Sequence, residues 1–483
     1  MSIRRVRAPQ IDFAPLRREL GLPTEFPLAA RREAEEAARS VVAPAIDHTA
    51  IPFVTIDPPT SRDLDQAVCL ARRTGGGYRV WYAIADVAWF VRPGGDVDRE
   101  SWVRGQTVYL PDAKVPLHPP ELSEGAASLL PDQIRPAVVW CIDLDADGAT
   151  SAVRLERAAV RSRAKLNYAG VQADVDADRL AEPIALLPEI GRLLIARGLA
   201  RGAIDLPTIE QEIEPDGESN GAGWRLTLRP PVPVEEYNAQ ISLLTGASAA
   251  KLMLDGGLGL LRTMPPPRPE SLDRLRAAAG ALGIAWPDGA AVGSVIAGLD
   301  PASPRAAAFL DQVPEILRGA GYTAFDGALP AVREHSAVAG PYAHVTAPLR
   351  RLADRYATEV CLSLHNAVAV PEWVREALPK LPEVMSNTDR VASAAERGAV
   401  ELVEAALLSG RIGETFDAAV TDVAEPGGRG GVAGGTVAID DPPVRARCDG
   451  ADLPLGERIR VRLVEADPTR RRVRFERADE GER

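Results

Sequence analysis

The spacing of apolar residues changes three times along the 483-residue chain. Residues 1–50 contain a charged helical pattern, LAARREAEEAARS, whereas from Ile51 to about residue 160 β-branched and aromatic residues alternate as they do in strands. Helical spacing follows over residues 234–254, residues 270–410 are predicted to be mostly helical, and short strands separated by Gly and Pro return after Gly410. Separate stretches of strands and helices predict an α+β fold, not a regular βα alternation.

The changes in pattern also predict how the chain divides into domains. A chain of this length exceeds one ordinary hydrophobic core. We expect an N-terminal helical segment over residues 1–50, a large α+β domain over residues 51–410 and a small domain over residues 411–483. In the last segment, expected strands at Thr415–Val423, Gly435–Ile439, Arg458–Val464 and Val473–Phe475 predict a closed β-barrel of the OB type.

The composition argues against several functional classes. The sequence has no apolar run long enough to span a membrane, and no apolar core follows the basic residues at its N-terminus. The four cysteines are far apart and form no C-x-x-C pair, which favours buried, reduced thiols in a cytoplasmic protein. A net charge of −12 is unlike that of a protein that coats nucleic acid, but it permits a locally basic channel.

The strongest chemical signal is the segment TIDPPTSRDLDQ at residues 55–66. It places Asp57, Asp63 and Asp65 directly after an expected strand, beside turn-forming prolines. Asp63 and Asp65 are two residues apart, so in an extended stretch their side chains point the same way. Hard oxygen ligands of this kind suit Mg²⁺ or Mn²⁺. Solvated turn-capping aspartates are the general alternative, and the spacing alone leaves both interpretations open.

Several segments together resemble a known family. A strand that ends in TID and leads into an aspartate cluster is similar to the catalytic domain of the ribonuclease II (RNB) family. The resemblance covers roughly residues 50–400 and continues, in the family's order, through YAIADV (82–87), YLPDAKVP (109–116), LSEGAASL (122–129), VEEY (234–237) and YAHVTAPLRRLAD (342–354). It implies an RNB-type domain, in which helices pack on a β-sheet, followed by an OB-like barrel.

The resemblance implies a metal site. Asp57, Asp63 and Asp65 would bind Mg²⁺ or Mn²⁺ and handle water, with Asp63 and Asp65 also counted as catalytic. The family's fourth acidic position is Gln66 in this sequence. A Gln oxygen can still bind a cation but carries no charge, which predicts weaker metal binding, or one ion instead of two.

By the same resemblance, Arg350 is the catalytic phosphate anchor. The local sequence supports this role, because Thr346 suits an N-cap and Pro348 suits the first helical turn, which places Arg350 near a helix N-terminus that favours anions. The alternative is a surface arginine paired with Asp354 one turn later.

Four further residues are candidates for substrate binding. The resemblance implies that Tyr109 packs against the terminal nucleotides and that Tyr168 lies near the RNA path. Glu235 or Glu236 opens the long helix and would orient Arg350 or the terminal ribose. The alternatives are packing for the tyrosines and charge complementarity at the helix start for the glutamates.

The sequence also departs from the family. It has only aliphatic residues around Arg201–Leu206, where a stacking Phe is expected, and His118 replaces an apolar residue and is interpreted as structural. The motif TSPIRRY appears as TAPLRRL at residues 346–352. In the barrel, Gly427–Gly431 replaces an aromatic strand, and 13 Arg stand against 15 acidic residues after Gly410. We therefore expect the barrel to bind RNA weakly. Residues 1–50 are too few for N-terminal cold-shock barrels.

The leading hypothesis is a monomeric, metal-dependent, hydrolytic 3′→5′ exoribonuclease that acts on single-stranded RNA and releases nucleoside 5′-monophosphates. One alternative is an RNA-binding protein of the same fold with weak or no catalysis. Another is an unrelated metal-dependent phosphoesterase that acts on small molecules.

Overall fold

The computed structural model describes residues 6–8, 11–206, 210–215, 224–229, 231–300, 303–423 and 433–478. The predicted segment Gly427–Gly431 lies outside these residues. Within the described ranges, no helix combines the length and the apolar character needed to span a membrane.

The strands occur mainly in two stretches, as the sequence pattern predicts. In chain order they are β1 (Val6–Ala8), β2 (Thr55–Ile56), β3 (Gln66–Arg72), β4 (Tyr78–Ala85), β5 (Val108–Tyr109), β6 (Lys114–Val115), β7 (Ile134–Leu144), β8 (Thr150–Arg161), β9 (Lys165–Leu166), β10 (Glu210–Pro215), β11 (Trp224–Arg229), β12 (Leu258–Thr263), β13 (Gly321–Asp326), β14 (Thr415–Val423), β15 (Gly434–Asp440), β16 (Pro443–Asp449), β17 (Arg458–Asp467) and β18 (Arg472–Arg477).

The helices lie mostly between the two groups of strands. They are α1 (Ala14–Glu19), α2 (Leu28–Arg39), α3 (Asp96–Arg104), α4 (Tyr168–Asp176), α5 (Leu187–Arg201), α6 (Pro233–Gly256), α7 (Pro269–Ala281), α8 (Val292–Ala297), α9 (Pro304–Leu310), α10 (Leu352–His365), α11 (Glu372–Ala377) and α12 (Leu381–Leu408). Helix α6 begins with Pro233 in its first turn and ends at Gly257, whose φ of 68° is costly for any residue with a Cβ.

The alternating strands form an antiparallel sheet with the order β3-β4-β7-β8. Both faces of this sheet are buried. In β4, Val80 and Tyr82 belong to a core shared with α6 and α10, whereas Ala83 and Ala85 belong to a second core shared with α2. Strand β2 pairs in parallel with β9, and Val54 bridges to Val68 of β3. The segment between β2 and β3 is thereby held at one end of the sheet.

After α12, the last five strands close into a barrel with the order β14-β15-β16-β18-β17. Its interior is an apolar cluster that includes Phe416, Val437 and Phe475. The α+β class and the closed C-terminal barrel are thus confirmed. The sequence analysis did not identify β16, which starts at Pro443, or the pair β12–β13 that interrupts the helical region.

Candidate active site at the acid loop

The segment Asp57–Asp65, here called the acid loop, connects β2 to β3 and is fixed by hydrogen bonds from outside it. The Lys165 ammonium donates to the carbonyls of Pro59 at 2.7 Å and Ser61 at 2.5 Å. The Ser128 hydroxyl donates to the Arg62 carbonyl and accepts from the Leu64 amide. Because these bonds hold the backbone, the positions of the carboxylates depend little on their own side-chain contacts.

Asp63 and Asp65 lie on one side of the acid loop, and Leu64 between them points into the core. Leu64 is fully buried in the cluster that covers the α2 face of the sheet. Asp65 is 3% exposed, and its Oδ1 accepts a 2.7 Å hydrogen bond from the Leu349 amide. Asp57 Oδ2 is also buried and has no hydrogen-bond partner. The loop therefore presents partly unsatisfied carboxylate oxygens.

Burial controls the protonation of these carboxylates. It raises the pKa of Asp65 to about 8 and that of Asp57 to about 6, although the positive charge of Arg350 acts in the opposite direction on both. A buried carboxylate is costly to ionise unless a positive charge compensates it. The site therefore favours the arrival of a cation.

Arg350 lies beside Asp65, but not in the first turn of a helix. Its Nε is 3.5 Å from Asp65 Oδ2, and its side chain is 44% exposed. Helix α10 begins only at Leu352, so the predicted capping role of Thr346 and the helical position of Pro348 are wrong. The reason is tertiary pairing. Residues 348–350 form a turn in which the Arg350 and Arg351 amides donate to the Ala347 carbonyl, and the Arg350 carbonyl accepts from the Thr107 amide. Arg351 is then extended, and the helix begins only after it.

The alternative ion pair between Arg350 and Asp354 is also not observed. Arg351 occupies that role, donating from Nε and Nη2 to the two oxygens of the buried Asp354, each at 3.0 Å. Asp354 Oδ2 in addition accepts from the Ala347 amide at 2.7 Å. The ion pair therefore holds the turn that carries Leu349 and Arg350, and the Arg350 guanidinium faces the acid loop.

Strands β5 and β6 add a tyrosine and a lysine to the site. The Tyr109 hydroxyl donates to Asp63 Oδ2 at 3.3 Å, and the residue is 52% exposed, so it is half buried, as the packing alternative assumed, while its hydroxyl reaches the acid loop. Lys114 Nζ lies 2.9 Å from Asp63 Oδ1 and 2.8 Å from Glu124 Oε1. Sequence reasoning missed Lys114 and Glu124. A signal was present, because Lys114 and Lys165 are two of the chain's four lysines.

Gln66 is the first residue of β3, and its side-chain amide donates to the Thr346 carbonyl. The polar end of Gln66 is therefore engaged with the turn that precedes Arg350. A carboxylate at this position could not donate that hydrogen bond.

Tyr168 and the two glutamates differ in their surroundings. The Tyr168 hydroxyl accepts from Asn238 of α6 at 3.3 Å, and burial together with the charge of Asp57 raises its pKa. Glu235 accepts from the Val232 amide at 3.2 Å and pairs with Arg229 at 2.5 Å, so it stabilises the start of its own helix. Burial and the charge of Asp205 raise the pKa of Glu236. The contacts of Glu235 thus agree with the alternative in which this glutamate stabilises the helix start and does not bind substrate.

The remaining predicted features lie away from the acid loop. His118 is buried, as a structural histidine would be. Ile204 and Leu206 pack against an apolar cluster of α7–α9. Three cysteines are buried free thiols, but Cys141 is partly exposed, which corrects the expectation that all four are buried.

Two family models match the chain. The RNB domain matches residues 46–361, and the RNase II-type exonuclease C-terminal S1 domain matches residues 414–478. The first match covers more than half of the chain and contains the acid loop and Arg350. The chain belongs to the RNB family. The predicted resemblance is confirmed.

Individual proteins agree with this assignment. A ribonuclease R from Vibrio cholerae is 29% identical over 373 residues, which are 72% of this chain and 43% of that protein. The chain spans about half the length of the curated relatives it matches. The fold is similar to that of Mycoplasma genitalium RNase R in complex with ribose methylated single-stranded RNA, with a TM-score of 0.84, 21% identity, and coverage of 96% of this chain and 77% of that one.

A second solved structure has the same fold. Yeast Ssd1, described as a pseudonuclease, matches with a TM-score of 0.68 and 18% identity, over 92% of this chain and 53% of that one. At this level of identity both structural matches establish the fold alone.

The donor set of this RNB domain suits a divalent metal ion, on which RNB exoribonucleases generally depend. The carboxylates of Asp57, Asp63 and Asp65 are hard oxygen ligands, and the orphaned Asp57 Oδ2 is an acceptor that a cation would satisfy. Among the residues that the structure describes, no three His, Cys, Asp or Glu side chains are already arranged to enclose a metal ion. The residues therefore fit the ion in chemistry, and their side chains have to rearrange before three of them can enclose it.

Proposed function

We propose that this chain is a metal-dependent, hydrolytic 3′→5′ exoribonuclease that acts on single-stranded RNA and releases nucleoside 5′-monophosphates. The observation that carries the proposal is the placement of Arg350 beside Asp65, within the acid loop of an RNB domain. This arrangement brings an exposed guanidinium and buried carboxylates to one point. It is what phosphoryl transfer requires, since charge has to be stabilised on both sides of the reacting phosphate.

In this proposal a water oxygen forms a bond to the phosphorus of the terminal nucleotide. The bond from that phosphorus to the 3′ oxygen of the preceding nucleotide breaks, and the 3′ oxygen takes a proton. The products are one nucleoside 5′-monophosphate and an RNA one nucleotide shorter. A divalent ion held by the three carboxylates would supply positive charge for the phosphoryl oxygens and lower the pKa of water.

The protein side chains have separate roles in this scheme. Asp57, Asp63 and Asp65 would hold the cation, and the side-chain oxygen of Gln66 is a fourth candidate ligand. Arg350 contacts the scissile phosphate with its planar guanidinium. Tyr109, half exposed at the loop, offers a ring face to a terminal base, and Tyr168 lies beside Asp57 on the other side. We assign no direct substrate contact to Glu235, and Glu236 remains a candidate for the terminal ribose.

We also propose that the chain acts as a monomer in the cytoplasm and is divided into residues 1–50, 51–410 and 411–483. The first part packs on the RNB domain through α1 and α2, and the last is the barrel. The barrel would contribute little to RNA binding.

The decisive experiment is incubation of 5′-labelled oligoadenylate with the protein and Mg²⁺. A ladder that shortens one nucleotide at a time supports the proposal, and a circular oligoadenylate without a 3′ end should stay intact. Cleavage of the circle would contradict exonucleolytic action. Hydrolysis of a phosphodiester analogue without any RNA shortening would instead favour a small-molecule phosphoesterase.

A second candidate function is RNA binding without catalysis. It is favoured by one specific observation: Lys114 already neutralises Asp63, and Gln66 supplies no charge. In the same assay this candidate predicts retention of labelled RNA on the protein without shortening at any Mg²⁺ concentration.

A further inference from the structure

Lys114 places an ammonium group inside the carboxylate cluster. Its Nζ lies between Asp63 Oδ1 and Glu124 Oε1, at 2.9 and 2.8 Å. The lysine side chain is 26% exposed and that of Asp63 is 10% exposed, so solvent screens their attraction only in part. An ammonium is a compact point charge, and in this position it provides Asp63 with what a metal ion would provide.

The position of Lys114 is set by backbone structure. Lys114 belongs to β6, which pairs with β5 so that Tyr109 and Lys114 stand directly opposite each other. Both side chains therefore reach the two oxygens of Asp63 from one hairpin. Glu124 lies on the short helical turn Leu122–Ala126 and also faces Arg62, whose Nε is 3.6 Å from Glu124 Oε2. Lys114 thus has two acceptors, only one of which belongs to the acid loop.

A basic side chain lies near each carboxylate of the acid loop. Three carboxylates, from Asp57, Asp63 and Asp65, face three cations, from Lys114, Lys165 and Arg350. The bonds of Lys165 go to loop carbonyls, and Arg350 lies beside Asp65. Lys114 is the cation that hydrogen-bonds to Asp63. A divalent ion that binds Asp63 therefore meets the repulsion of this ammonium, which Glu124 can hold away from the ion.

We infer that Lys114 is an internal counter-ion that competes with the divalent cation for Asp63, and that Glu124 receives the ammonium when the cation binds. This inference rests on the proposed function for the identity of the metal site. It assigns the regulation of metal affinity to two residues outside the acid loop. A cation that binds Asp63 shares that carboxylate with the Lys114 ammonium or displaces it, so metal affinity is set below what the three aspartates alone would give.

The test is titration of the full-length protein with Mn²⁺, with free Mn²⁺ measured by electron paramagnetic resonance in the absence of RNA. Lys114→Met removes the competing charge and should tighten Mn²⁺ binding by about tenfold, or about 1.4 kcal/mol. Glu124→Gln removes the second acceptor and should weaken binding. Lys251→Met is the matched control, since Lys251 is 76% exposed on α6 and pairs with Asp255, and it should leave binding unchanged.

A double variant separates the role of Glu124 from a direct effect of its charge. If Glu124 acts by receiving the ammonium, Glu124→Gln should have no effect in a Lys114→Met background. Unchanged or weaker Mn²⁺ binding by a folded Lys114→Met variant overturns the inference. So does an equal loss of affinity from Glu124→Gln in both backgrounds. If Lys114→Met alone does not fold, Glu124→Gln in the parent protein remains the test, and unchanged Mn²⁺ binding there overturns the inference.

These outcomes are distinct from failure of the proposed function. If the Mn²⁺ pattern appears and no variant shortens oligoadenylate, the counter-ion role stands and the exoribonuclease proposal fails. If the parent protein shortens RNA but Lys114→Met binds Mn²⁺ no more tightly, the exoribonuclease proposal stands and the counter-ion role fails.

Discussion

Arginine and acidic side chains lie close together both in the C-terminal barrel and at the acid loop, but the two regions differ in how far the carboxylates are buried. Among the described residues from Arg411 onward, the arginines except Arg477 lie 2.5–3.8 Å from carboxylate oxygens, for example Arg474 with Asp449 and Arg458 with Asp440. Most of these pairs are solvent-exposed and contribute little energy each. At the acid loop the carboxylates are buried, and Arg350 retains an exposed guanidinium.

This difference shows that burial, and not the number of charges, distinguishes a site from a surface. In the barrel most of the described arginines have a carboxylate partner and water around them, so an incoming phosphate gains little. At the acid loop the burial of the carboxylates costs free energy that a bound cation can offset. The following predictions test this contrast, starting with the largest expected effect.

Asp65→Asn should reduce RNA degradation by at least about a thousandfold, because it removes the most buried ligand charge of the site. RNA affinity should change little, since Asp65 offers no contact to bases. Single-turnover degradation and equilibrium binding of one oligonucleotide measure the two effects. Asp449→Asn in the barrel is the control and should keep the parent rate. Rapid degradation by Asp65→Asn would place the metal site elsewhere.

Arg350→Lys should lower single-turnover degradation by about a hundredfold, with a much smaller loss of RNA affinity, because a lysine keeps the charge but not the planar fork. Arg474→Lys makes the same change in the barrel and should be neutral. Arg351→Lys should lower the unfolding temperature, because it disturbs a buried ion pair with Asp354, whereas Arg350→Lys should leave that temperature unchanged. If Arg350→Lys degrades RNA at the parent rate, Arg350 does not contact the scissile phosphate.

The pH dependence of stability should have opposite signs in the two regions. Burial raises the pKa of Asp65 to about 8, so the metal-free folded protein holds a proton that the unfolded chain has lost. Asp65 should therefore lower stability by roughly 2 kcal/mol as pH rises from 6 to 8. Buried His118, His335 and His344, whose pKa values are lowered, act in the opposite direction, so the contribution of Asp65 is the difference in slope between the parent protein and Asp65→Asn. A denaturant titration at each pH in the presence of a chelator measures this.

In the barrel, Asp449 provides the opposite case. Hydrogen bonds from Arg474 and Arg447 outweigh burial and lower the pKa of Asp449. Its contribution to stability is present above its unfolded pKa and is lost as pH falls through the folded value. Asp449→Asn should thus reduce the loss of stability in acid and leave the change between pH 6 and 8 intact. If Asp65→Asn and Asp449→Asn changed the pH dependence of stability above pH 6 equally, the proposed difference between the acid loop and the barrel would be contradicted.

Deletion of the barrel from Arg411 onward should have the smallest effect, weakening RNA binding by less than about tenfold, because its arginines are already paired. Circular dichroism has to show that the remaining domain is folded, since α12 packs against β17 and β18. A much larger loss of affinity in a folded truncation would mean that the barrel binds RNA despite its ion pairs.

The sequence by itself determined the elements with strong local patterns. Period-two alternation located β3, β4, β7 and β8, and the helical spacing from Val234, with Glu235 and Glu236 at its start, located the beginning of α6. The order of the motifs along the chain was sufficient to identify the RNB family. The closeness of Asp63 and Asp65 also followed from their spacing, because a buried Leu64 forces both side chains to the opposite side.

Only the tertiary structure decided which basic side chain pairs with which carboxylate. Whether Arg350 or Arg351 pairs with Asp354 depends on the pairing of residues 105–107 with residues 350–352, which keeps Arg351 extended and delays helix α10. Lys114 reaches Asp63 across 51 residues of sequence, and β12 pairs with β13 across a similar distance. Such contacts have no local pattern, because their free energy comes from burial and charge that exist only once distant segments pack together.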